Sequence, residues 1–582
     1  MSHTAADQLV DLLLHAGVQR VYGIVGDSLN AFSDAVRRRG GAAEGGIDWV
    51  HVHNEEAAAF AASAEAQLTG RLAVCAGSCG PGNTHLIQGV MDAHRSGAPV
   101  LAIASHIPSS QVGTGFFQET DPKTLFAQAA HYCEEVAHPE QLERLVRLAA
   151  QNALGRGGAS VLVVSGDVLS APAAPAKGLG ALVTGRPLAV PRPEEVEELA
   201  GHVQRSDKVA IFAGIGAAEA RDDVIRLAGL LQAPIGHSLR GKDAFGYDNP
   251  HDVGMNGLLG YGGCYKALHD ADLVLLLGTD FPYEDFLPGA RTIQVDLDPA
   301  RLGRRTPLVQ GIAADVGATV RALLERVPQR AQRSFLDEAL HRTESAVDGR
   351  LAAYTSEDQR GGPLHPELVA TVLDELMAED AVVTADTGMC CTWTARYLTP
   401  NGSRRFIGSW VHGSMANALP MAIGAQVSHP GRQVVSFSGD GGLAMLLGEL
   451  LTVKLHQLPV KTVVFNNSSL GMVRLEMLAA GDPPFETDHD AVDYAAIAAG
   501  AGVFSRRVER AEDLRSAVAE VLAHPGPALL DVVTTADAMS MPSHTTVGQA
   551  KGFALSLGKM VLAGGISDAV RVARTNVRLA RP

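Results

Sequence analysis

Two apolar runs late in the chain each stop at a polar corner. Val434-Val435-Ser436-Phe437-Ser438 runs into Gly439-Asp440-Gly441-Gly442, and Val463-Val464-Phe465 runs into Asn466-Asn467. Both runs have the length and the β-branched, aromatic content of buried strands, and Leu443 to Leu455 between them carries Leu and Met at helical spacing. Strand, helix and strand joined by a right-handed crossover lie with the strands parallel, which brings Asp440 and Asn467 together at their carboxyl ends. Gly-Asp-Gly alone is an ordinary turn, and Asn-Asn alone an ordinary loop cap. Their pairing at crossover distance points instead to a site for Mg²⁺ and a diphosphate. A carboxylate, an amide oxygen and a loop carbonyl are the hard donors Mg²⁺ takes, with places left for phosphate oxygens and water. The glycines around Asp440 let phosphates approach the backbone and a helix N-terminus.

At 582 residues, 46% of them hydrophobic and 19% charged, the chain has material for roughly three or four domains. A net charge of −16 with a pI near 5.7 argues against a nucleic-acid partner and against general adsorption to acidic membranes. Arg37-Arg38-Arg39 precedes Gly40-Gly41 and reads as a solvated helix end, where cations suit the dipole. Six cysteines are too few and scattered for a disulfide scaffold, and Cys75 with Cys79 has no matching pair for zinc. The opening Met-Ser-His-Thr carries no charged-then-apolar pattern, and no apolar stretch nears the ~18 residues of a span. The expected location is the cytoplasm, with peripheral contact at the inner face of the cell membrane left open.

Helix-like and strand-like pieces alternate from residue 5 to about 170: Ala5 to His15, Val21 to Val25, Glu55 to Leu68, Leu72 to Ala76, Val100 to Ala104, Val161 to Val164. This is the rhythm of an open parallel sheet covered on both faces. The stretch from Ala171 through Pro172, Pro175 and Gly178 to Pro187, Pro191 and Pro193 reads as a linker. A second α/β unit follows, with strands Val209 to Phe212, Leu273 to Leu277 and Thr292 to Leu297; its Gly214-x-Gly216 lacks the third glycine of a dinucleotide fingerprint and reads as a turn. The polar segment Ser334 to Gly362 reads as a second linker, and a third α/β unit runs from Pro363 to about Val533. The predicted architecture is α/β: three doubly wound parallel-sheet domains over 1–180, 190–335 and 360–535, with a tail at 540–582.

Further motifs then carry a family resemblance: Gly26-Asp27-Ser28-Leu29-Asn30, the Glu55-Glu56 pair, Cys75 to Ile87, His106 to Thr120, Ser238 to Met255, Gly278 to Tyr283 and His412 to Pro420. With the two corners already described, they make the chain resemble the thiamine diphosphate-dependent pyruvate oxidase and acetohydroxyacid synthase superfamily. Within it the likeness is greatest to the bacterial quinone-dependent pyruvate dehydrogenases. It runs from about residue 4 to the C-terminus. It implies an aminopyrimidine-binding domain, a central FAD-binding domain and a domain for diphosphate and Mg²⁺, with sites between subunits of a homotetramer built as a dimer of dimers.

The resemblance also assigns roles. Glu55, otherwise a solvated glutamate of an Ala-rich helix, would hydrogen-bond an aminopyrimidine ring nitrogen. Met415 would bend the cofactor, with Gly413 and Ser414 in contact. Asp440, Asn467 and the Ser469 carbonyl would hold Mg²⁺, and Gly441, Gly442, Leu470 and Gly471 would line the diphosphate and thiazolium. For FAD the matching residues are Arg240, Lys242, Met255, Gly257, Gly278, Thr279, Asp280, Phe281, Pro282 and Asp296. Phe117 and Gln118 match a loop near the substrate.

The tail, drawn at 100° per residue, sets Ile566, Ala569, Val570, Ala573, Val577 and Ala580 on one stripe, with Arg571, Arg574, Arg578 and Arg581 beside it. In the quinone-linked relatives such a tail responds to lipid, which favours membrane contact here. Three positions depart from that branch: Asn54 stands for a His, Met472 for an aromatic, and Val577 for a terminal Trp. The expected activity is oxidation of pyruvate to acetate and CO₂, with electrons passing through FAD to a membrane quinone. The alternatives are an acetolactate synthase-type carboligase with structural FAD, an oxidase using phosphate and oxygen, and a noncatalytic cofactor-binding or membrane-sensing protein.

Overall fold

Long β-branched runs with no polar alternation form strands covered on both faces, as Val100–His106 and Ala159–Ser165 show, buried along their whole length. The computed structural model describes residues 3–175, 178, 180, 182–183, 185, 187–289, 291–356 and 364–538, then 551–552, 554–556, 559, 570 and 575–576. It contains three six-stranded sheets, and all their strand pairings are parallel.

The first sheet comprises β1 (Arg20–Gly23), β2 (Asp48–His51), β3 (Ala73–Gly77), β4 (Val100–His106), β5 (Tyr132–Val136) and β6 (Ala159–Ser165), in the order β2-β1-β3-β4-β6-β5. The second comprises β7 (Val209–Ala213), β8 (Ile235–His237), β9 (Asp252–Met255), β10 (Leu273–Leu277), β11 (Arg291–Asp296) and β12 (Gln310–Ala313), ordered β12-β11-β10-β7-β8-β9. The third comprises β13 (Val382–Ala385), β14 (Arg405–Gly408), β15 (Val434–Gly439), β16 (Lys461–Asn466), β17 (Phe504–Val508) and β18 (Ala528–Val533), ordered β14-β13-β15-β16-β18-β17. The first and third sheets therefore share one topology. The second has the order of a dinucleotide-binding sheet, whose switch point falls between β7 and β10.

The first and third domains also share a core. It joins Tyr22, Val100 and Val161 to Val382, Ala422, Val464 and Leu529, and its centre is the Ala-rich helix Glu55–Thr69 packed on helix Ala418–Ser428. Small side chains along Ala57 to Ala66 let the two helices approach closely, so burial rather than propensity holds them.

The structure corrects two expectations. Ser334 to Gly362 is not simply a linker: Ser334–Ala346 is a helix whose Ala339 joins the second-domain core with Phe212, Val253 and Phe281. Thr343 Oγ1 there accepts the Gly263 amide at 3.0 Å. The helix expected over Leu443 to Leu455 is two, Asp440–Met445 and Glu449–Leu455, broken at Leu446 to Gly448. The stretch 171–192 has no helix or strand among its described residues. Apart from Val570, the proposed tail stripe and its arginines lie outside the described residues. Among the described residues no helix is long and apolar enough to cross a membrane.

Candidate active site

Strands β15 and β16 pair with Gly439 opposite Phe465, so their carboxyl ends deliver Asp440 and Asn467 to one corner. Asp440 is buried; its Oδ2 accepts the amides of Asn467 at 2.9 Å and Ser468 at 2.5 Å, and Oδ1 accepts that of Gly441 at 2.8 Å. His489 Nε2 stands 3.7 Å from Oδ1. Burial pushes the Asp440 carboxyl above its ordinary range, and the Gly441 amide, His489 and the Ser468 and Asn467 amides pull it back. Asn467 Oδ1 accepts the Ser469 amide at 3.0 Å, and the Ser469 carbonyl accepts that of Gly471 at 2.9 Å, which leaves each oxygen a lone pair. Ser469 Oγ is buried and unpartnered among the described residues.

A cavity of about 300 Å³ opens on this corner. Of the residues singled out in the sequence, Gly413, Met415, Asp440, Gly441, Gly442, Asn467, Ser469, Leu470 and Gly471 line it. Ser414 braces the loop from behind: its amide donates to Ser409 Oγ at 2.9 Å, and its Oγ takes Gln88 Nε2 at 2.9 Å. Ala416, at φ 62°, holds the left-handed turn that aims Met415 over Gly441.

Asp386 was not found from the sequence, although it follows the apolar run Val382–Ala385 much as Asp440 follows its own. Its carboxylate accepts the amides of Ala418 at 2.9 Å and Gly439 at 3.2 Å, tying two loops of the cavity together. A Cβ on Gly442 would fall 2.2 Å from Asp386 Oδ2, so only glycine fits there. Burial pushes the Asp386 carboxyl up to about 7. Trp393, Val473 and Glu476 also line the cavity without having been expected.

The first-domain candidates gather elsewhere, around Cys79 to Gly82. Glu55 begins its helix, with Asn54 as the N-cap accepting the Glu56 amide at 2.8 Å, which gives the departure at Asn54 a local reason. Glu55 is buried, Oε2 lies 2.9 Å from His85 Nδ1, and a Cβ on Gly82 would fall 3.1 Å from Oε1. Gln118 holds φ 63° and accepts Cys79 Sγ at 3.5 Å, while Phe117 is 78% exposed. Glu55, Gln118 and Phe117 do not line the third-domain cavity of their own chain.

In the second domain the switch point is a backbone crossing. The Gly216 amide donates to the Gly278 carbonyl at 3.0 Å, and a Cβ on Gly278, at φ 59°, would fall 2.4 Å from the Gly216 carbonyl carbon. Gly214-x-Gly216 is thus more than a turn, through a partner far away in sequence. Thr279 and Phe281 are buried beyond it, Pro282 is exposed, and Asp280 takes Arg304 at 2.9 Å. Asp296 ends β11, buried and with its pKa raised by burial. Met255 pairs with Tyr261, and Gly257 packs its backbone against Phe281.

Arg240 and Lys242 reach into the neighbouring domains. Arg240 donates to the Ser96 carbonyl at 2.7 Å. Lys242, 2% exposed, donates to the Ala395 carbonyl at 2.6 Å, near the rings of Tyr261 and Phe406. Burial lowers both pKa values, that of Lys242 to about 8.

The chain matches three family models: thiamine pyrophosphate enzyme, N-terminal TPP binding domain, over residues 3–125; the central domain over 196–323; and the C-terminal TPP binding domain over 386–532. It belongs to the thiamine pyrophosphate enzymes. This thiamine pyrophosphate enzyme is 35% identical to a putative thiamine pyrophosphate-containing protein of Bacillus subtilis, over 95% of each chain. It is 29% identical to a pyruvate oxidase of Lactiplantibacillus plantarum, over 92% of this chain and 89% of the relative. It is 30% identical to a probable chloroplastic acetolactate synthase of Oryza sativa, over 91% and 82%.

Proposed function

We propose that this thiamine pyrophosphate enzyme binds Mg²⁺ and FAD as well, and oxidises pyruvate. In the proposed reaction pyruvate, water and a quinone give acetate, CO₂ and the quinol. The carbon–carbon bond to the carboxylate breaks to release CO₂, water supplies the acetate oxygen, and the quinone takes up the two electrons, redox chemistry that FAD would supply when bound. What carries the reading is one combination: the Asp440–Asn467 corner occurs in the same chain as a middle sheet of dinucleotide-binding order with its switch point at Gly278.

The residues fit the groups. Among the described residues no cluster of three or more His, Cys, Asp or Glu could hold a metal ion, so a cation at this corner takes mixed oxygen donors. Asp440, Asn467 Oδ1 and the Ser469 carbonyl provide them, as Mg²⁺ prefers. The close approach at Gly442 and the unpartnered Ser469 Oγ suit a diphosphate beside the backbone. Gly278, Asp280 and Asp296 at the second switch point suit a dinucleotide.

When bound, thiamine diphosphate supplies the nucleophilic carbon and the electron sink for decarboxylation, and FAD accepts the electron pair. Glu55, one carboxyl oxygen of which is oriented by His85, would hold a proton toward a ring nitrogen of the aminopyrimidine. Met415, in the cavity wall, would support the thiamine group, and Gln118 would orient the keto acid. The cavity is lined by third-domain residues, and sites shared between subunits, as the family resemblance implies, would have Glu55 of a second copy complete it in a form that is at least a dimer.

Pyruvate added anaerobically to the loaded enzyme is expected to bleach the flavin, with acetate as product. Flavin that stays oxidised overturns the redox reading. The rice relative favours one rival, an acetolactate-forming carboligase, whose signature is acetolactate over an unreduced flavin. Acetyl phosphate as product indicates an oxidase that uses phosphate.

A further inference from the structure

A buried carboxylate of the third domain meets the start of the Glu55 helix. Glu449 is 1% exposed. Its Oε1 accepts the His53 amide at 3.1 Å and Oε2 accepts Thr452 Oγ1 at 2.7 Å, with the Asn54 amide close enough to favour the charged form. His53 Nδ1 lies 2.8 Å from the same Thr452 hydroxyl, and His456 Nε2 is 2.8 Å from the His51 carbonyl. One turn on, Ala57 packs against Ala416 and Leu446.

We infer that Glu449 is a positioning residue for Glu55, fixing from the third domain the angle at which the Glu55 helix begins. His53 and Asn54 are the two residues before Glu55, and Asn54 is the helix N-cap. A carboxylate that takes the His53 amide, and through Thr452 also meets the His53 ring, fixes where the first turn begins and with it the orientation of Glu55. The anion also faces the positive end of the helix dipole. Its burial is costly: the Glu449 carboxyl is pushed up to about 7, with the Thr452 hydroxyl and the His53 and Asn54 amides pulling it back. A buried acid bound to a backbone amide of another domain is a poor packing choice and a good strut. An ångström of misplacement at a proton-transfer group costs on the order of a hundredfold in rate.

The inference rests on Glu55 acting as proposed, and the test separates the two. On the full-length protein loaded with thiamine diphosphate and Mg²⁺, exchange of the thiazolium ring proton for deuterium is followed by acid quench. Glu449→Ala is expected to slow exchange about tenfold or more, with thiamine diphosphate affinity within about twofold of wild type, because the residues proposed to hold Mg²⁺ and the diphosphate make no hydrogen bond to Glu449 among those described. Glu449→Gln, which keeps an acceptor for the His53 amide, is expected to restore most of the rate. Where the alanine variant fails to fold, Thr452→Val, which frees the carboxylate from its orienting hydroxyl, is expected to slow exchange by a smaller factor. Exchange at the wild-type rate in Glu449→Ala, or in Thr452→Val where that replaces it, overturns the inference, as does an equal loss in the Ala and Gln variants. Wild-type exchange in Glu55→Gln overturns the role of Glu55 itself.

Discussion

The Tyr494 hydroxyl donates to the main-chain carbonyl of Asp440 at 2.9 Å, so the residue proposed to hold Mg²⁺ is braced through its backbone as well as its carboxylate. Behind Tyr494 stands Asp531, fully buried, which accepts the Tyr494 amide at 3.1 Å, Asn466 Nδ2 at 2.8 Å and a guanidinium N–H of Arg507. One carboxylate thus steadies both strand ends of the corner. Tyr494→Phe is expected to weaken Mg²⁺ binding in the presence of thiamine diphosphate about tenfold, as removal of an outer support commonly does. Calorimetric titration of the metal-free protein measures it, and an unchanged affinity removes the bracing role.

Glu55→Gln is expected to lower kcat about 10²-fold or more. Thiamine diphosphate affinity should stay near wild type, because the residues proposed to hold Mg²⁺ and the diphosphate, Asp440 and Asn467 among them, belong to the third domain. Steady-state turnover with an artificial electron acceptor, beside a cofactor titration, checks both halves. Full activity in this variant rules out the proton-sharing role.

Gly278→Ala would press a methyl group to 2.4 Å from the Gly216 backbone at a left-handed φ of 59°. The cost is ~2 kcal/mol or more, and flavin bound per chain should fall with it. Thermal unfolding and the flavin-to-protein absorbance ratio report the two effects. A variant that keeps wild-type stability and flavin content shows that the crossing at the switch point is not required.

Lys242 carries a pH prediction. Its folded pKa is lowered to about 8, against 10.5 for a free lysine. Near pH 7 both states hold the proton, so the cost of burying the charge is present in full. Between about 8 and 10.5 the unfolded chain binds the proton and the folded chain sheds it, so stability due to Lys242 rises with pH through that window. The unfolding midpoint of wild type relative to Lys242→Met should climb from about pH 7 to about pH 9.5. A flat or falling difference contradicts the burial of charge at this position.

What the sequence disclosed about the site follows from locality. Asp440 and Asn467 were legible because a single crossover separates them and strand signals flank both. Asp386, Tyr494, Asp531 and Glu449 were not, because each is an ordinary polar residue until the fold brings it to its partner. Gly214-x-Gly216 reads as a turn for the same reason: the partner that makes glycine necessary, Gly278, lies on another strand. Apolar runs announced three parallel-sheet units, but the common strand order of the first and third leaves no mark in residue identity. The helix Ser334–Ala346 was lost among charged residues because only its Leu336 and Ala339 are buried.

The core shared by the first and third domains sets a schedule for biosynthesis. Ser165 closes the first sheet and Val382 opens the third, with the whole middle domain translated between them. At ~5–20 residues per second that interval is on the order of ten to forty seconds. Throughout it the alanine-rich face of residues 57–66 waits on the ribosome without helix Ala418–Ser428 to cover it. Soluble yield then depends on what shelters that face in the nascent chain, and a protein truncated before residue 418 would keep the exposed surface permanently and be drawn to chaperones or aggregates.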